Sequence, residues 1–188
     1  MENHNNGGNA VDSAALQQEW IEEERRVREK FGTPGSATPE TIAKYSGMEF
    51  LQALMAGQLH YPPIADTLNF SLIHVESGRA IFQGTPLFAH YNPIGSVHGG
   101  WFCTLLDSAL GCAVQSTLQR GFGYTTLELK VNLIRALTEK TGPVRAEGYI
   151  VHSGRQTGIA EARLYDASGK TYASASTTCL IFPIAVNK

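Results

Sequence analysis

The stretch "NPIGSVHGGWFCTLLDSALG", Asn92 to Gly111, carries the residue types best suited to chemistry in this chain. A glycine-rich turn ending in His98, Gly99 and Gly100 opens an apolar segment, and Asp107 is the only charged residue between His98 and Leu118. Burying an unpaired carboxylate is costly. An acid here therefore needs a polar helix edge, a basic partner such as Arg135, or a chemical use, and perturbed carboxylates gather at functional sites. The paired glycines permit close backbone approach. Unsatisfied N–H groups at a helix N-terminus suit a developing oxyanion, although an ordinary flexible turn would read the same. His98 reads as a ring hydrogen bond that shapes the turn rather than as a base. Phosphate loops fit poorly, because "GSVHGG" lacks both GK[ST] and the GxGxxG spacing.

Positioning these residues requires a helix and a sheet. Trp101, Leu105, Ala109 and Ala113 form one i,i+4 row, and Phe102, Leu106, Leu110 and Val114 the next, so the apolar face is wide. Such a helix buries its sides when an antiparallel sheet curls around it. "FSLIHV" and "RAIFQGT", split by Ser77 and Gly78, read as a hairpin before the turn. After the helix, which ends near Leu118, "TLELKVNLI" from Thr126 alternates Leu127, Leu129, Val131 and Leu133 with Glu128, Lys130 and Asn132, a half-buried strand. "VRAEGYIVH", "GIAEARLYD" and "KTYASASTTCLIF" follow, so the expected order is two strands, one helix and four strands in a meander.

Upstream, residues 1–12 read as a disordered tail and 13–60 as a helical extension. "ALQQEWIEEERRVREKF" from Ala15 has Glu and Arg at i,i+3 and i,i+4, the mark of a solvated peripheral helix. Thr38 with Pro39 and Glu40 starts a second helix with an apolar stripe from Ile42 to Met55, stopped at Gly57. "QLHYPPIADTL" reads as a loop because of its adjacent prolines.

Composition narrows the class. With 188 residues, 43% apolar and 17% charged, the chain suits one globular domain with a real core. A net charge of -2 gives no case for nucleic acid or an anionic membrane. Residues 97–118 approach spanning length, but Asp107, Gln115 and Gly111 make a poor membrane segment. "MENHNNGGNA" has no apolar run of signal-peptide type. Cys103 and Cys112 lie about 13 Å apart along one helix, too far for a disulfide. No spacing of Cys or His suggests zinc, and no catalytic Cys–His pair can be argued. A reduced, cytoplasmic protein without a bound metal is expected.

"NPIGSVHGGWFCTLLDSALGCA", followed by "TTLELKVNLIRAL", resembles the hotdog-fold acyl-CoA thioesterases, most closely the phenylacetate-degradation (PaaI) type, which is 4-hydroxybenzoyl-CoA thioesterase-like. The likeness spans about residues 68–183. It implies an α+β hotdog domain over 61–185, a curved antiparallel sheet wrapped around one long central helix, here with an N-terminal helical extension. It also implies an obligate homodimer, often paired into a tetramer, and thioester hydrolysis without a cofactor, CoA entering as part of the substrate. By this resemblance Gly99 supplies the N–H that polarises the thioester carbonyl and Asp107 is the catalytic carboxylate. Asn92 is a supporting polar residue, and Thr126 holds water. His98, Gly100, Arg135, Ser153, Gly154 and Arg155 border the substrate and its CoA moiety. Ala136 departs from the proline that often follows the arginine in this family.

Helix geometry adds a constraint. Gly99 and Asp107 are eight residues apart, about 12 Å along a helix. A thioester carbon about 3 Å from the acid, with its oxygen about 3 Å from the Gly99 N–H, cannot span that distance. The two groups of one site should come from different chains, and a monomer should be inactive. The expected activity is hydrolysis of aryl- or medium-chain acyl-CoA, with Asp107 as nucleophile or general base. The rival readings are a non-catalytic acyl-CoA-binding module and a hotdog hydratase or dehydratase.

Overall fold

The computed structural model describes residues 7–185 of the chain. Four helices come first: α1 (Gly7–Arg28), α2 (Pro39–Ile42), α3 (Gly47–Met55) and α4 (Pro63–Leu68). Strands β1 (Phe70–Glu76) and β2 (Arg79–Gly84) precede the central helix α5 (Gly99–Gln115), and β3 (Phe122–Leu133), β4 (Val144–Ser153), β5 (Thr157–Asp166) and β6 (Thr171–Pro183) follow it.

The six strands form one antiparallel sheet in the order β1-β2-β4-β5-β6-β3. It curls around α5, so both apolar rows of that helix are buried, from Trp101 and Phe102 at 2% exposure to Val114 at 0%. This is the hotdog architecture, α+β, with the helical extension before it. The four strands after α5 do not form a simple meander. Only β4, β5 and β6 do, while β3 pairs with β6 at the far edge. Strand β4 takes the place beside β2 because the hairpin and α5 leave that edge open.

Strand β3 also starts earlier than its clean alternation, at Phe122, and its register slips between Thr126 and Glu128. The bulge takes Leu127 out of the inward set, leaving it 60% exposed, and Leu133 at the strand end is 55% exposed. Leu129 and Val131 pack against the core as their spacing predicts.

The extension departs most from its sequence reading. Of the expected tail, residues 1–6 lie outside the described residues, and α1 already runs from Gly7. Helix α1 is docked rather than solvated. Trp20, Glu24 and Val27 are buried, the Arg145 guanidinium sits 4.1 Å from the Trp20 ring centroid, and Gln83 Nε2 donates to Trp20 O and to Glu24 Oε2. The single helix expected from Pro39 is two. Ser46 and Glu49 form a capping box that restarts the chain as α3. The expected loop over 58–68 contains α4, with Pro63 at the first helical position, where proline loses no bond. Helical structure therefore continues to Leu68, past residue 60. No described helix is long and apolar enough to cross a membrane.

Candidate active site

Asp107 lies midway along α5, half-buried on the side that the sheet leaves open. Thr126, arriving on β3, donates its hydroxyl to Asp107 Oδ1 at 3.0 Å. Arg135 is not its partner: it is exposed, and its Nη1 donates to the carbonyl of Thr171. Among the described residues no cation pairs with Asp107, and Oδ2 carries no hydrogen bond. A hydroxyl that donates to one oxygen orients the carboxylate while leaving the other available to water or substrate.

The immediate surroundings are apolar and protonated. Burial, and then the Asp107 charge, pushes the Cys112 thiol up to about 12. The same causes raise Cys103, and burial raises the Tyr124 phenol well above its ordinary value. Neither thiol nor the phenol is an anion near neutral pH, which leaves Asp107 as the candidate nucleophile or base on this part of the helix.

A cavity of about 220 Å³ opens beside the acid. Its inner wall includes Ser108, Cys112 and Tyr124 together with Phe70, Leu72 and Phe82 of the first hairpin, and Asp107 is its only charged lining residue. The cavity and Tyr124 are functional candidates that the sequence reading missed. Tyr124 lies just before the clean alternation of β3, and its hydroxyl occupies the space over Gly111, where a Cβ would come within 2.3 Å of it.

The N-terminus of α5 is a separate cluster. His98 is the N-cap, its Nδ1 accepting from the Gly100 N–H at 2.9 Å. This is the turn-shaping role expected of the imidazole, and it occupies the Gly100 donor. Gly99, at the first helical position, has no acceptor among the carbonyls of its own helix. Asn92 organises the turn itself: its Oδ1 accepts from the N–H groups of Ile94 and Ser96 at 3.0 and 3.4 Å, and its Nδ2 donates to Ser96 Oγ. Strand β3 runs back along α5, so Leu133 lies beside Gly99 as Thr126 lies beside Asp107.

Ser153, Gly154 and Arg155 occupy the β4–β5 turn at the other end of α5. There they border an open groove with Thr117 and Gln119, and the Ser153 and Thr117 hydroxyls are 3.0 Å apart. One chain thus joins Asp107 to Thr126, groups Asn92, His98, Gly99 and Gly100 at the helix start, and places the 153–155 turn at the helix end. It does not join Gly99 to Asp107, because α5 is continuous between them. Among the described residues no cluster of three His, Cys, Asp or Glu side chains is placed to hold a metal ion.

Residues 94–173, from the glycine-rich turn into the last strand, match the thioesterase superfamily. A 1,4-dihydroxy-2-naphthoyl-CoA hydrolase of Listeria monocytogenes is 23% identical over 107 residues, 57% of this chain and 85% of that protein. Among solved structures, a putative thioesterase of Ralstonia eutropha described as phenylacetic acid degradation-related superposes with a TM-score of 0.64 at 26% identity, covering 70% of this chain and 98% of its own. A Streptococcus mutans protein solved bound to acetyl-CoA superposes with a TM-score of 0.56 at 26% identity, covering 63% and 92%.

Proposed function

We propose that this chain, whose residues 94–173 match the thioesterase superfamily, is a thioester hydrolase that cleaves acyl-CoA to the free acid and CoA, with Asp107 as nucleophile or general base and an aromatic or medium-length acyl group as substrate. The observation that carries this reading is the state of Asp107. It is the sole carboxylate of α5, without a cationic partner among the described residues, oriented by Thr126 at 3.0 Å and set at an apolar cavity. A structural carboxylate would be paired. The relatives' names support a CoA thioester, since one is a CoA hydrolase and another was solved with acetyl-CoA.

In the reaction the carbonyl carbon is attacked either by Asp107 Oδ2, giving a mixed anhydride, or by a water that Oδ2 deprotonates with Thr126 holding it. The C–S bond breaks and CoA leaves as the thiolate, which takes its proton from water or, on the second route, from the protonated Asp107. On the first route a water then hydrolyses the anhydride, releasing the free acid and restoring the carboxylate. The Gly99 N–H receives the negative charge that develops on the carbonyl oxygen. Because α5 separates Gly99 and Asp107 by about 12 Å, the donor comes from the partner of a homodimer. Arg135 and the 153–155 turn are exposed and suited to the CoA phosphates. No metal or redox cofactor enters this scheme, and the three free thiols suit a reducing, cytoplasmic setting.

The test is turnover of an acyl-CoA panel by Asp107→Asn and Asp107→Ala, each with a circular dichroism spectrum and assembly state matching wild type. Loss of about 10³-fold or more in kcat is expected in both. Wild-type-like turnover in either would remove Asp107 from the chemistry. Tight binding of acyl-CoA without turnover by the wild-type protein would make it a binding module.

A further inference from the structure

The cavity beside Asp107 is only half built by the thioesterase domain. Its outer wall is Phe31, Leu54, Met55, Tyr61, Ile64 and Ala65, all upstream of the residues 94–173 that match the superfamily. We propose that this helical extension is the specificity-determining wall of the acyl site. The acyl carbonyl lies at Asp107, the apolar acyl group fills the cavity, and Leu54, Met55 and Ile64 set the size it accepts. This rests on the reading that Asp107 is the catalytic carboxylate.

Three observations carry the inference. The first is composition: along a wall otherwise dominated by aliphatic and aromatic side chains, the one charged group is the acid, so the cavity has a reactive end and an apolar body. A ligand matching it has a polar reacting carbonyl and an apolar remainder, which is an acyl thioester and not a polar metabolite. The second is size. About 220 Å³ exceeds the roughly 150 Å³ of an apolar cavity that accommodates benzene, so an aromatic ring or a chain of several carbons fits.

The third is that the wall is held firmly against the domain. At Gly47 the first turn of α3 meets the end of α5 backbone to backbone. The Gly47 N–H donates to Leu118 O at 2.9 Å, and a Cβ there would lie 1.6 Å from Gln115 O. Arg120 Nη2 donates to Glu49 Oε2 at 3.0 Å across the same junction. At the other end the Phe31 and Tyr61 rings stack with centroids 4.7 Å apart, and Tyr61 donates to Asp66 Oδ2 at 2.7 Å, tying the α3–α4 connection to α4. Leu51 and Ala65 anchor the two helices in the main core at 2% and 4% exposure. Leu54 and Met55 are partly buried against that core and also line the cavity. Ile64, 47% exposed, stands at its rim.

The measurement is kcat/KM for acetyl-, butyryl-, hexanoyl-, octanoyl- and phenylacetyl-CoA on Met55→Trp, Ile64→Trp and Leu54→Ala. Each methylene that loses its place in the cavity costs roughly fourfold in kcat/KM. Met55→Trp should therefore lower hexanoyl and phenylacetyl turnover by about tenfold or more while acetyl turnover stays within about twofold. Leu54→Ala should shift the optimum toward longer chains. Ile64→Trp, at an exposed rim where folding is not at stake, should depress only the longest substrates. Changes that are equal across the series, or absent in all three variants, overturn the proposal.

Affinity of Asp107→Asn for hexyl-CoA thioether against CoA alone separates this inference from the reading beneath it. If the thioether's added affinity falls when Met55→Trp is combined with Asp107→Asn, the wall binds the acyl group whatever Asp107 does in turnover. If that added affinity is unchanged, the wall proposal fails even where Asp107→Asn has abolished hydrolysis.

Discussion

Proline at position 99 would delete the proposed oxyanion donor and leave the helix start intact. Gly99 is the first residue of α5, where a ring that fixes φ and lacks an N–H is well tolerated, and His98 before it is already extended at φ -63 and ψ 139. The nearest obstacle is a side-chain methyl, Leu133 Cδ1, 3.1 Å from the added Cβ. Gly99→Pro should fold with a thermal midpoint close to wild type and lose about 10²–10³ in kcat, with little change in KM. An unchanged kcat would assign the oxyanion to another donor. Thr126 is reached from the sequence only through the family resemblance, as a residue that holds water, and its hydrogen bond to Asp107 emerges from the fold, where β3 returns along α5. Tyr124 is not readable even that way. Its position is decided by Gly111, which looks like a weak point in a helix until the phenol is seen filling the space a side chain would take.

At the scale of elements, α1 shows how a helix that looks solvated can be structural. Its Glu and Arg pairs at i,i+4 are real: Arg28 bonds Glu24, and Arg26 bonds Glu22. They mask a narrow buried stripe of Trp20, Glu24 and Val27, whose partners, Gln83 on β2 and Arg145 on β4, are more than fifty residues away. No local pattern announces such partners. The edge-on contact of Trp20 with Tyr165, centroids 5.8 Å apart, extends the dock to β5. Trp20→Ala should destabilise the fold by about 3 kcal/mol, read as a lower denaturant midpoint in urea unfolding, because it leaves a cavity and strips the cation–π face from Arg145. A change below about 0.5 kcal/mol would mean that α1 is indeed peripheral. Strand β3 offers the same lesson. Its alternation identifies a strand, but which edge it joins depends on the path around α5, and the bulge after Thr126 reverses the sense of Leu127.

At the scale of the whole molecule, one sheet edge is left uncovered among the described residues. Strand β3, twelve residues long, pairs on one side with β6 and on the other with no element of the described chain. Along it and beside the glycine-rich turn stand Leu127, Leu133, Ile134 and Ile94, at 60, 55, 50 and 86% exposure. A long free edge with exposed apolar side chains calls for a partner. A twofold axis beside this edge would set the two α5 helices antiparallel and bring each helix N-terminus toward the other's Asp107. The decisive measurement uses two inactive chains. Asp107→Asn keeps its Gly99 donor, and Gly99→Pro keeps its acid, so a heterodimer purified by two tags holds one complete site and one doubly broken site if each site is shared. It should recover about half of wild-type turnover per dimer. If donor and acid belonged to the same chain, every site in that heterodimer would lack one of them, and turnover would stay at the level of the parent variants.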